Sequence, residues 1–525
     1  MDVDGHPSPD VVKNLNGVDP ESKLHILLHS NQPPDCCQFP AIRDAISSID
    51  GRLELLDGEI STLRHRLAQL EEDRDALSRS RNQHVGIFSP LRRMPPETLG
   101  EIFTWALPSL ADLHKRKSFI KQSPWVLTHV CSQWRAIAIS MPSLWSVVCV
   151  DCNYSLAAAE AQISRAQRLK IHFYGSEERE ARPQVRLLRF LIQHSARWEE
   201  LYIQLTEGLL PLLPSIRNVP SLRRVAFEWD KDEGGDSDDE DDDNAARSVV
   251  VDYLRTACHL SDLMVCRQLS VHFLPPINQL TRYHAHAPWD THRGILSANL
   301  ALVEAHINVY PYPVWPATGQ VIQLSQLRRL YVSHAEVLQY LQVAILEQFT
   351  LYLRWHEMYL IPALDRFVAD TSSTVRRLCL RGLPHEALAS KLMNRCTSLI
   401  ELAIIIVGGD RYGFDEDSGH ATVANDLVEL ITYLPSQITG LHLTFEDKSP
   451  FDYGLWADVL ESRWRMGQGS LRVATLCFNG RRPKPEPGTL EKLGSLRESG
   501  LDYKLVKSAD WWDHVAPWMC CPLWY

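Results

Sequence analysis

A short apolar pattern recurs twelve times between residues 166 and 478, and it constrains the fold more than any other feature of the chain. Each copy reads apolar-x-x-apolar-x-apolar, as in Leu222-x-x-Val225-x-Phe227. The copies begin at Ala166, Trp198, Leu222, Leu260, Leu280, Leu300, Leu327, Leu346, Val375, Leu399, Ile438 and Val473. Because alternate side chains of a strand point to opposite faces, the pattern predicts a series of strands with one buried face.

Helical stretches separate several of these strands, for example residues 249–258, 385–395, 423–434 and 455–465. A recurring strand-plus-helix unit resembles a leucine-rich-repeat solenoid. The spacing is uneven, and the Asn or Cys that follows the strand in regular repeats is mostly missing. We therefore expect an α/β fold in which residues 151–525 form an irregular leucine-rich-repeat-like domain. The alternative is an unrelated α/β domain.

Residues 41–82 carry a heptad pattern. Apolar residues follow one another in alternating steps of three and four from Ile46 to Leu77, with Arg74 as the one break. A seam held over more than four heptads predicts a coiled-coil helix. The pairs that would face each other across a parallel dimer are opposite in charge: Arg52–Asp57, Glu59–Arg64 and Arg66–Glu71. Two alternatives stay open, a homodimer through 41–82 and a helix that packs on its own chain.

Two short amphipathic helices are expected between residues 89 and 148. Pro96 suits the first helical position, because a helix leaves that N–H unpaired. One apolar face follows, made of Leu99, Ile102, Phe103 and Ala106. A second helix is expected from Ser123 and Pro124 to Pro142. Its apolar face would comprise Leu127, Val130, Cys131, Trp134 and Ala138.

The same stretch, residues 88–150, resembles an F-box of the type abundant in mushroom-forming fungi. The resemblance rests on three blocks in order: Met94-Pro95-Pro96-Glu97-x-Leu99-x-x-Ile102-Phe103, then Val130-Cys131-x-x-Trp134-Arg135, then Leu144-Trp145. Met94 stands where leucine is usual. The resemblance implies that a Skp-type adaptor binds the segment. Carried over by position, the contact residues are Met94, Pro95, Leu99, Ile102, Phe103, Val130, Cys131 and Trp134.

Composition excludes several classes of function. The net charge of −11 is concentrated in residues 230–243, whose eight Asp, two Glu and one Lys give −9 and leave about −2 elsewhere. No global basic field exists, so nucleic-acid binding is not expected. No apolar run approaches the length of a membrane span, and the first residues do not resemble a secretory signal. We expect a cytoplasmic or nuclear protein without membrane contact, with its twelve cysteines reduced.

No catalytic, cofactor or metal motif is recognised. Phosphate loops, dinucleotide fingerprints, nucleophile elbows and H-E-x-x-H are all absent from the sequence. Cys149-x-x-Cys152 has no second ligand pair nearby. His284 and His286 would share one strand face, with His292 close by in sequence, and we interpret them as a strand surface. We therefore expect no enzyme, no cofactor and no metal.

Three further segments complete the prediction. Residues 1–40 and the acidic loop 230–244 are expected to be disordered, because neither can bury apolar surface. The C-terminal residues Trp511, Trp512, Trp518, Trp524 and Tyr525 are expected to cover the last repeat, with partner docking as the alternative.

The F-box resemblance implies a substrate-recognition subunit of an SCF-type cullin–RING ubiquitin ligase. A Skp-type adaptor would bind the F-box, and the C-terminal domain would bind a protein substrate. The alternative is a non-degradative scaffold assembled through its coiled coil.

Overall fold

The computed structural model describes residues 27, 30, 32–107, 124–151, 153–229, 249–266, 271–273, 277–310, 315, 320–353, 361–371, 374–382, 392, 395–406, 434–446, 451–466, 471–479, 485–506 and 508–519. The acidic loop 230–244, Cys152, Trp524, Tyr525 and most of the expected disordered N-terminus lie outside this part of the chain. The chain divides into two compact units, Met1–Pro95 and Pro96–Tyr525.

The first unit contains one long helix at the place where the heptads predict it. Helix α1 spans Phe39–Ile87, which is 49 residues and about 73 Å at 1.5 Å per residue. A 3-10 turn, Pro90–Arg93, follows it. The heptad residues are all exposed: Ile46, Ile49, Leu53, Leu56, Ile60, Leu63, Leu67, Leu70 and Leu77. The helix therefore presents an uncovered apolar seam along most of its length.

The second unit begins with short helices and continues as alternating strands and helices. The helices are α2 (Pro96–Ala106), α3 (Trp125–Thr128), α4 (Ser132–Ser140), α5 (Leu156–Arg165), α6 (Ala181–Ile192), α7 (Trp289–Ala298), α8 (Ile361–Thr371), α9 (Tyr453–Met466), α10 (Pro487–Glu498) and α11 (Trp511–Val515). Short 3-10 helices span Pro142–Trp145, Ser195–Arg197, Leu210–Ser215, Tyr253–Thr256, Ala335–Tyr340 and Ser508–Asp510.

Fourteen strands of the described residues form one sheet, in which all pairs are parallel. In spatial order they are β1 (Val147–Asp151), β2 (Leu169–Tyr174), β3 (Trp198–Leu205), β4 (Arg224–Trp229), β6 (Asp262–Cys266), β8 (Arg282–Ala287), β9 (Glu304–Val309), β11 (Arg329–Val332), β13 (Gln348–Tyr352), β14 (Arg377–Arg381), β15 (Glu401–Ile406), β16 (Gly440–Phe445), β17 (Val473–Phe478) and β18 (Asp502–Val506). Two small sheets pair β5 (Val249–Val251) with β7 (Val271–Phe273) and β10 (Ile322–Leu324) with β12 (Leu341–Val343).

One face of the large sheet is apolar and forms the core with the connecting helices. A register row of this face is buried from β1 to β17: Val148, Ile171, Leu201, Val225, Leu263, Tyr283, Ala305, Leu330, Phe349, Leu378, Leu402, Leu441 and Ala474. Helices pack against it, since Phe349 of β13 contacts Phe367 of α8 with ring centroids 5.5 Å apart. Aromatic and aliphatic burial of this extent is what holds a parallel sheet of the α/β class together.

The sequence prediction of an irregular leucine-rich-repeat-like solenoid over residues 151–525 is wrong. The strands form one large parallel sheet with helices, and the described residues contain no solenoid of repeats. Apolar alternation requires only that one face of each strand be buried, which a continuous sheet achieves as well as stacked repeats do. The connections also share no common form: α5 follows β1, a 3-10 helix follows β11, and α8 lies between β13 and β14. The structure thus shows the alternative, an α/β domain.

The opposite face, called the polar face below, carries a row of alternating charges. It consists of Lys170, Glu200, Arg224, Asp262, Arg282, Glu304 and Arg329, one from each of the seven neighbouring strands of the large sheet from β2 to β11. Each neighbouring pair is an ion pair; for example, Nε of Arg224 lies 3.2 Å from Oδ2 of Asp262. Each inner member of this charge ladder lies between two opposite charges. The ion pairs offset the free-energy cost of removing groups such as Glu200 and Asp262 from water.

The C-terminal segment, residues 508–519, lies on the polar face. Trp518 and Met519 belong to one buried cluster with Tyr331 of β11 and Cys379 of β14. Nδ1–H of His306 donates to the backbone O of Met519 over 2.6 Å. The expectation that this segment covers the last repeat at the end of a solenoid is therefore wrong, because Trp518 packs with residues of β11, β14 and β15 instead.

None of the described helices combines the length and the apolar character that crossing a membrane requires.

Candidate functional site

Helix α2 places the first block of the F-box-like segment. It begins at Pro96 and carries Glu97 in its first turn, as predicted. Successive side chains are about 100° apart around a helix, so Leu99 and Phe103 lie on one side. Both are fully buried. Ile102 lies on the rim of that side and is 39% exposed, so the predicted apolar face divides into a buried part and an exposed part.

The second block does not form the single helix that was expected from Pro124 to Pro142. Helix α3 ends at Thr128, and α4 begins at Ser132. Cys131 has an extended backbone and acts as the N-cap of α4, because its Sγ accepts the N–H of Trp134 over 3.4 Å. A helix cap is an alternative partner for an N–H that helix geometry leaves unpaired. Val130 consequently lies in the turn between two helices.

Aromatic side chains hold these short helices together. The rings of Phe103 and Trp134 are tilted, with centroids 4.7 Å apart, and join α2 to α4. Trp145 is fully buried, and its Nε1–H donates to the backbone O of Ala138 over 2.7 Å. Trp125 meets Trp145 edge to face at 4.9 Å. Helices too short to be stable alone are thus fixed by tertiary packing.

The eight residues carried over from the resemblance divide by exposure. Leu99 and Phe103 are buried, Met94 and Trp134 are half-buried, and Pro95, Ile102, Val130 and Cys131 are exposed. Met94 and Pro95 belong to the first compact unit, and the other six to the second. Buried members can support the segment but cannot contact a partner without opening it. The exposed apolar members are therefore the candidates for adaptor contact.

Trp105 belongs with them, although the sequence reasoning missed it. It is 86% exposed at the end of α2, and Val130 is 55% exposed. Trp105 lies three residues after Ile102, roughly a turn along the same side of the helix. A tryptophan on the side of a helix that faces away from its buried residues was the signal available in the sequence. Exposed aromatic residues of this size are typical of protein interfaces.

A second group of side chains that could bind a ligand lies on the polar face. From the sequence, His284 and His286 were interpreted as a strand surface, and their rings do stack on β8, with centroids 5.6 Å apart. Strand pairing, however, brings Cys266 of β6 beside them, with Sγ 3.5 Å from Nε2 of His284. One ligand atom from each of the three residues lies within 4.8 Å of the others. The sequence prediction had no thiol to place with the two histidines.

His292 is separate from this group. It is on α7, against the apolar face, where Tyr283 O–H donates to its Nδ1 over 2.8 Å and its Nε2–H donates to the backbone O of Asn308 over 3.1 Å. Burial is the main cause that lowers the pKa of His292 to about 4. Its two ring nitrogens are satisfied within the core, so its role is structural.

Comparison of the chain with protein-family models and with curated proteins found no match.

Proposed function

We propose that this chain is a substrate-recognition subunit of an SCF-type cullin–RING ubiquitin ligase. Its F-box-like segment, α2 to α4, would bind a Skp-type adaptor. The observation that carries the proposal is the exposure of apolar side chains at resemblance positions, Ile102 and Val130, with Trp105 beside Ile102 on the same helix. The internally packed core of Phe103 and Trp134 supports this surface without needing a partner.

The size of the exposed apolar side chains is consistent with a docking surface. Each Å² of apolar surface that is removed from water contributes about 25 cal/mol to the binding free energy. A fully buried Ile or Val side chain therefore contributes about 1.5–3 kcal/mol. A tryptophan at the centre of an interface commonly contributes 2 kcal/mol or more. Two or three such anchors would supply most of the binding free energy, provided that the surrounding contacts exclude water. Leu99 adds nothing to this surface, because it is already buried.

The large sheet would hold the substrate. Its polar face presents ordered rows of side chains on parallel strands, and the C-terminal segment contacts the strands around β11 to β15. Lys170 of β2 and Arg224 of β4 keep 34% and 37% of their side-chain surface exposed, so they would give a protein partner directional contacts. The chain itself does no chemistry in this proposal; it positions a substrate near the ubiquitin-carrying enzyme. The proposed compartment is the cytoplasm, the nucleus or both.

A binding assay with purified full-length chain and a purified Skp-type adaptor tests the proposal. Ile102→Asp and Val130→Asp place a charge in the contact, so each should weaken binding about 30-fold or more, equivalent to about 2 kcal/mol. Leu490→Asp is the matched control, because Leu490 is an exposed apolar residue of helix α10. Unchanged binding by both Ile102→Asp and Val130→Asp would refute the proposed surface.

The exposed seam of α1 favours a second candidate function, a non-degradative scaffold. Nine exposed apolar heptad residues on one helix are typical of a coiled-coil helix that packs against a second chain. In this alternative, two copies assemble through α1, and the adaptor either binds without consequence or does not bind. An adaptor-dependent ubiquitination assay separates the two functions, because only the ligase subunit would support transfer to a bound protein.

A further inference from the structure

The polar face brings a thiol and two imidazoles together from neighbouring strands. Strands β6 and β8 pair in register through Val265 and Ala285, so Cys266 and His286 are the next residues of each strand. His284 lies two residues before His286 and shares its face. One ligand atom from each of Cys266, His284 and His286 falls within 4.8 Å of the other two.

The spacing of these atoms is close to that of a metal site. Sγ of Cys266 lies 3.5 Å from Nε2 of His284. In a tetrahedral zinc site with bonds of about 2.0–2.3 Å, neighbouring ligand atoms lie about 3.5 Å apart. One pair is therefore already at coordination distance, and a ligand atom of His286 lies within 4.8 Å of both.

The ring of His284 is fixed, because His306 of β9 stacks on it with centroids 3.7 Å apart. His306 is held in turn by the backbone O of Met519. This arrangement preorganises His284 rather than leaving it to rotate.

The charge around this group also suits a metal ion. Glu228 of β4 lies in register with Cys266 and brings a carboxylate to the adjacent strand, which favours a cation nearby.

We propose that Cys266, His284 and His286 form a binding site for a zinc ion. Thiolate and imidazole donors select a borderline-soft transition metal over Mg²⁺ or Ca²⁺, which prefer oxygen ligands. Three protein ligands leave one position of a tetrahedron for water or for a donor from a bound molecule. The site lies beside the C-terminal segment, because His284 stacks on His306, which donates to the backbone O of Met519. A bound ion would therefore stabilise the polar face next to this segment.

The test uses the full-length chain, freed of metal with a chelator and titrated with Zn²⁺ and, separately, with Co²⁺ as a spectroscopic probe. We expect one equivalent to bind, with the absorption of tetrahedral Co²⁺ and a thiolate-to-cobalt charge-transfer band. Cys266→Ser should abolish that band and weaken Zn²⁺ binding at least tenfold. Cys258→Ser is the matched control, because Cys258 is an exposed thiol only eight residues away.

A second readout keeps the proposal testable if a variant folds poorly. In the wild-type chain, one equivalent of Zn²⁺ should slow alkylation of Cys266 and leave alkylation of Cys258 unchanged, as mapped by mass spectrometry. Circular dichroism verifies the fold of each variant. A Co²⁺ spectrum that Cys266→Ser leaves unchanged, binding without a defined stoichiometry, or alkylation of Cys266 at the same rate with and without Zn²⁺ would each overturn the proposal.

Discussion

Trp518 anchors the C-terminal segment to the polar face, and its removal should open the segment. The side chain is 3% exposed. The guanidinium of Arg377 lies over its ring, with Cζ 4.2 Å from the centroid, and the ring of His442 lies 5.2 Å away. Oγ1–H of Thr350 donates to the backbone O of Trp518, a bond that the substitution leaves in place.

The magnitude follows from these contacts. Truncating a buried tryptophan to alanine typically costs about 3–5 kcal/mol, and a partly desolvated cation–π contact accounts for about 0.5–2 kcal/mol of such an effect. We therefore expect Trp518→Ala to lower the free energy of opening the segment by about 4 kcal/mol. Since about 1.4 kcal/mol is a factor of ten, the open population should rise about a thousandfold.

Cys379 reports this opening directly. It is fully buried, shares a cluster with Trp518, and burial raises the pKa of its thiol well above the ordinary value. The rate at which an alkylating reagent labels Cys379 should therefore rise by up to about a thousandfold in Trp518→Ala. Cys149, a buried thiol on β1, should keep its labelling rate.

Trp105→Ala is the matched tryptophan control, because Trp105 is 86% exposed. Labelling of Cys379 should be unchanged in this variant. If Trp518→Ala raised the labelling of Cys379 by less than about threefold, or raised that of Cys149 equally, the C-terminal segment would not be an independently docked cover of the polar face.

Three further predictions address the ladder, the core and the long helix. Asp262→Asn removes an inner charge of the ladder and should lower the free energy of unfolding, measured in urea, by about 1.5–3 kcal/mol. Glu199→Gln is the control: the arginine paired with Glu199 is mostly exposed, so this free energy should change by less than about 1 kcal/mol. Folding lowers the pKa of His292 to about 4 from 6.5, so the unfolded chain takes up the proton first as the pH falls. This contribution to stability is therefore complete above about pH 6.5 and is lost between about 6.5 and 4, and His292→Phe should flatten the measured dependence. Leu63→Asp should convert a dimer into a monomer in light scattering, and a wild type that is already monomeric would contradict the coiled coil.

Local patterns predicted most strands but not their assembly. Every one of the twelve recurrences overlaps or adjoins a strand of the large sheet, because alternation directly reflects burial of one face. The copy that begins at Leu300 was taken two residues too early: Leu300 is 46% exposed, whereas Leu302 is buried. Strands β1 and β18 of the large sheet and the four strands of the two small sheets were missed. The helix predicted for residues 249–258 is wrong, because Val249–Val251 is strand β5 and Tyr253–Thr256 is a 3-10 helix. Whether successive strands form repeats or one sheet depends on their connections, which alternation does not describe.

The candidate sites show a similar division. Pro96 predicted the start of α2, because its effect on the backbone is local. The break between α3 and α4 was not predicted. The free energy of two helices separated by a cap at Cys131 differs only slightly from that of one continuous helix, so the sequence does not distinguish them. Contacts distant in sequence were beyond prediction: Cys266 meets His284 only through strand pairing, and His306 meets Met519 across 213 residues.

The most direct test of the central claim is recovery of the adaptor with the chain. The tagged full-length protein would be purified from cells that express a Skp-type adaptor and its cullin, and the stoichiometry of the complex measured by mass and gel density. The account predicts one adaptor per chain with cullin attached, loss of both in the double variant Ile102→Asp/Val130→Asp, and retention in Leu490→Asp. A well-folded wild type that recovers no adaptor, or a double variant that recovers as much as the wild type, would contradict it.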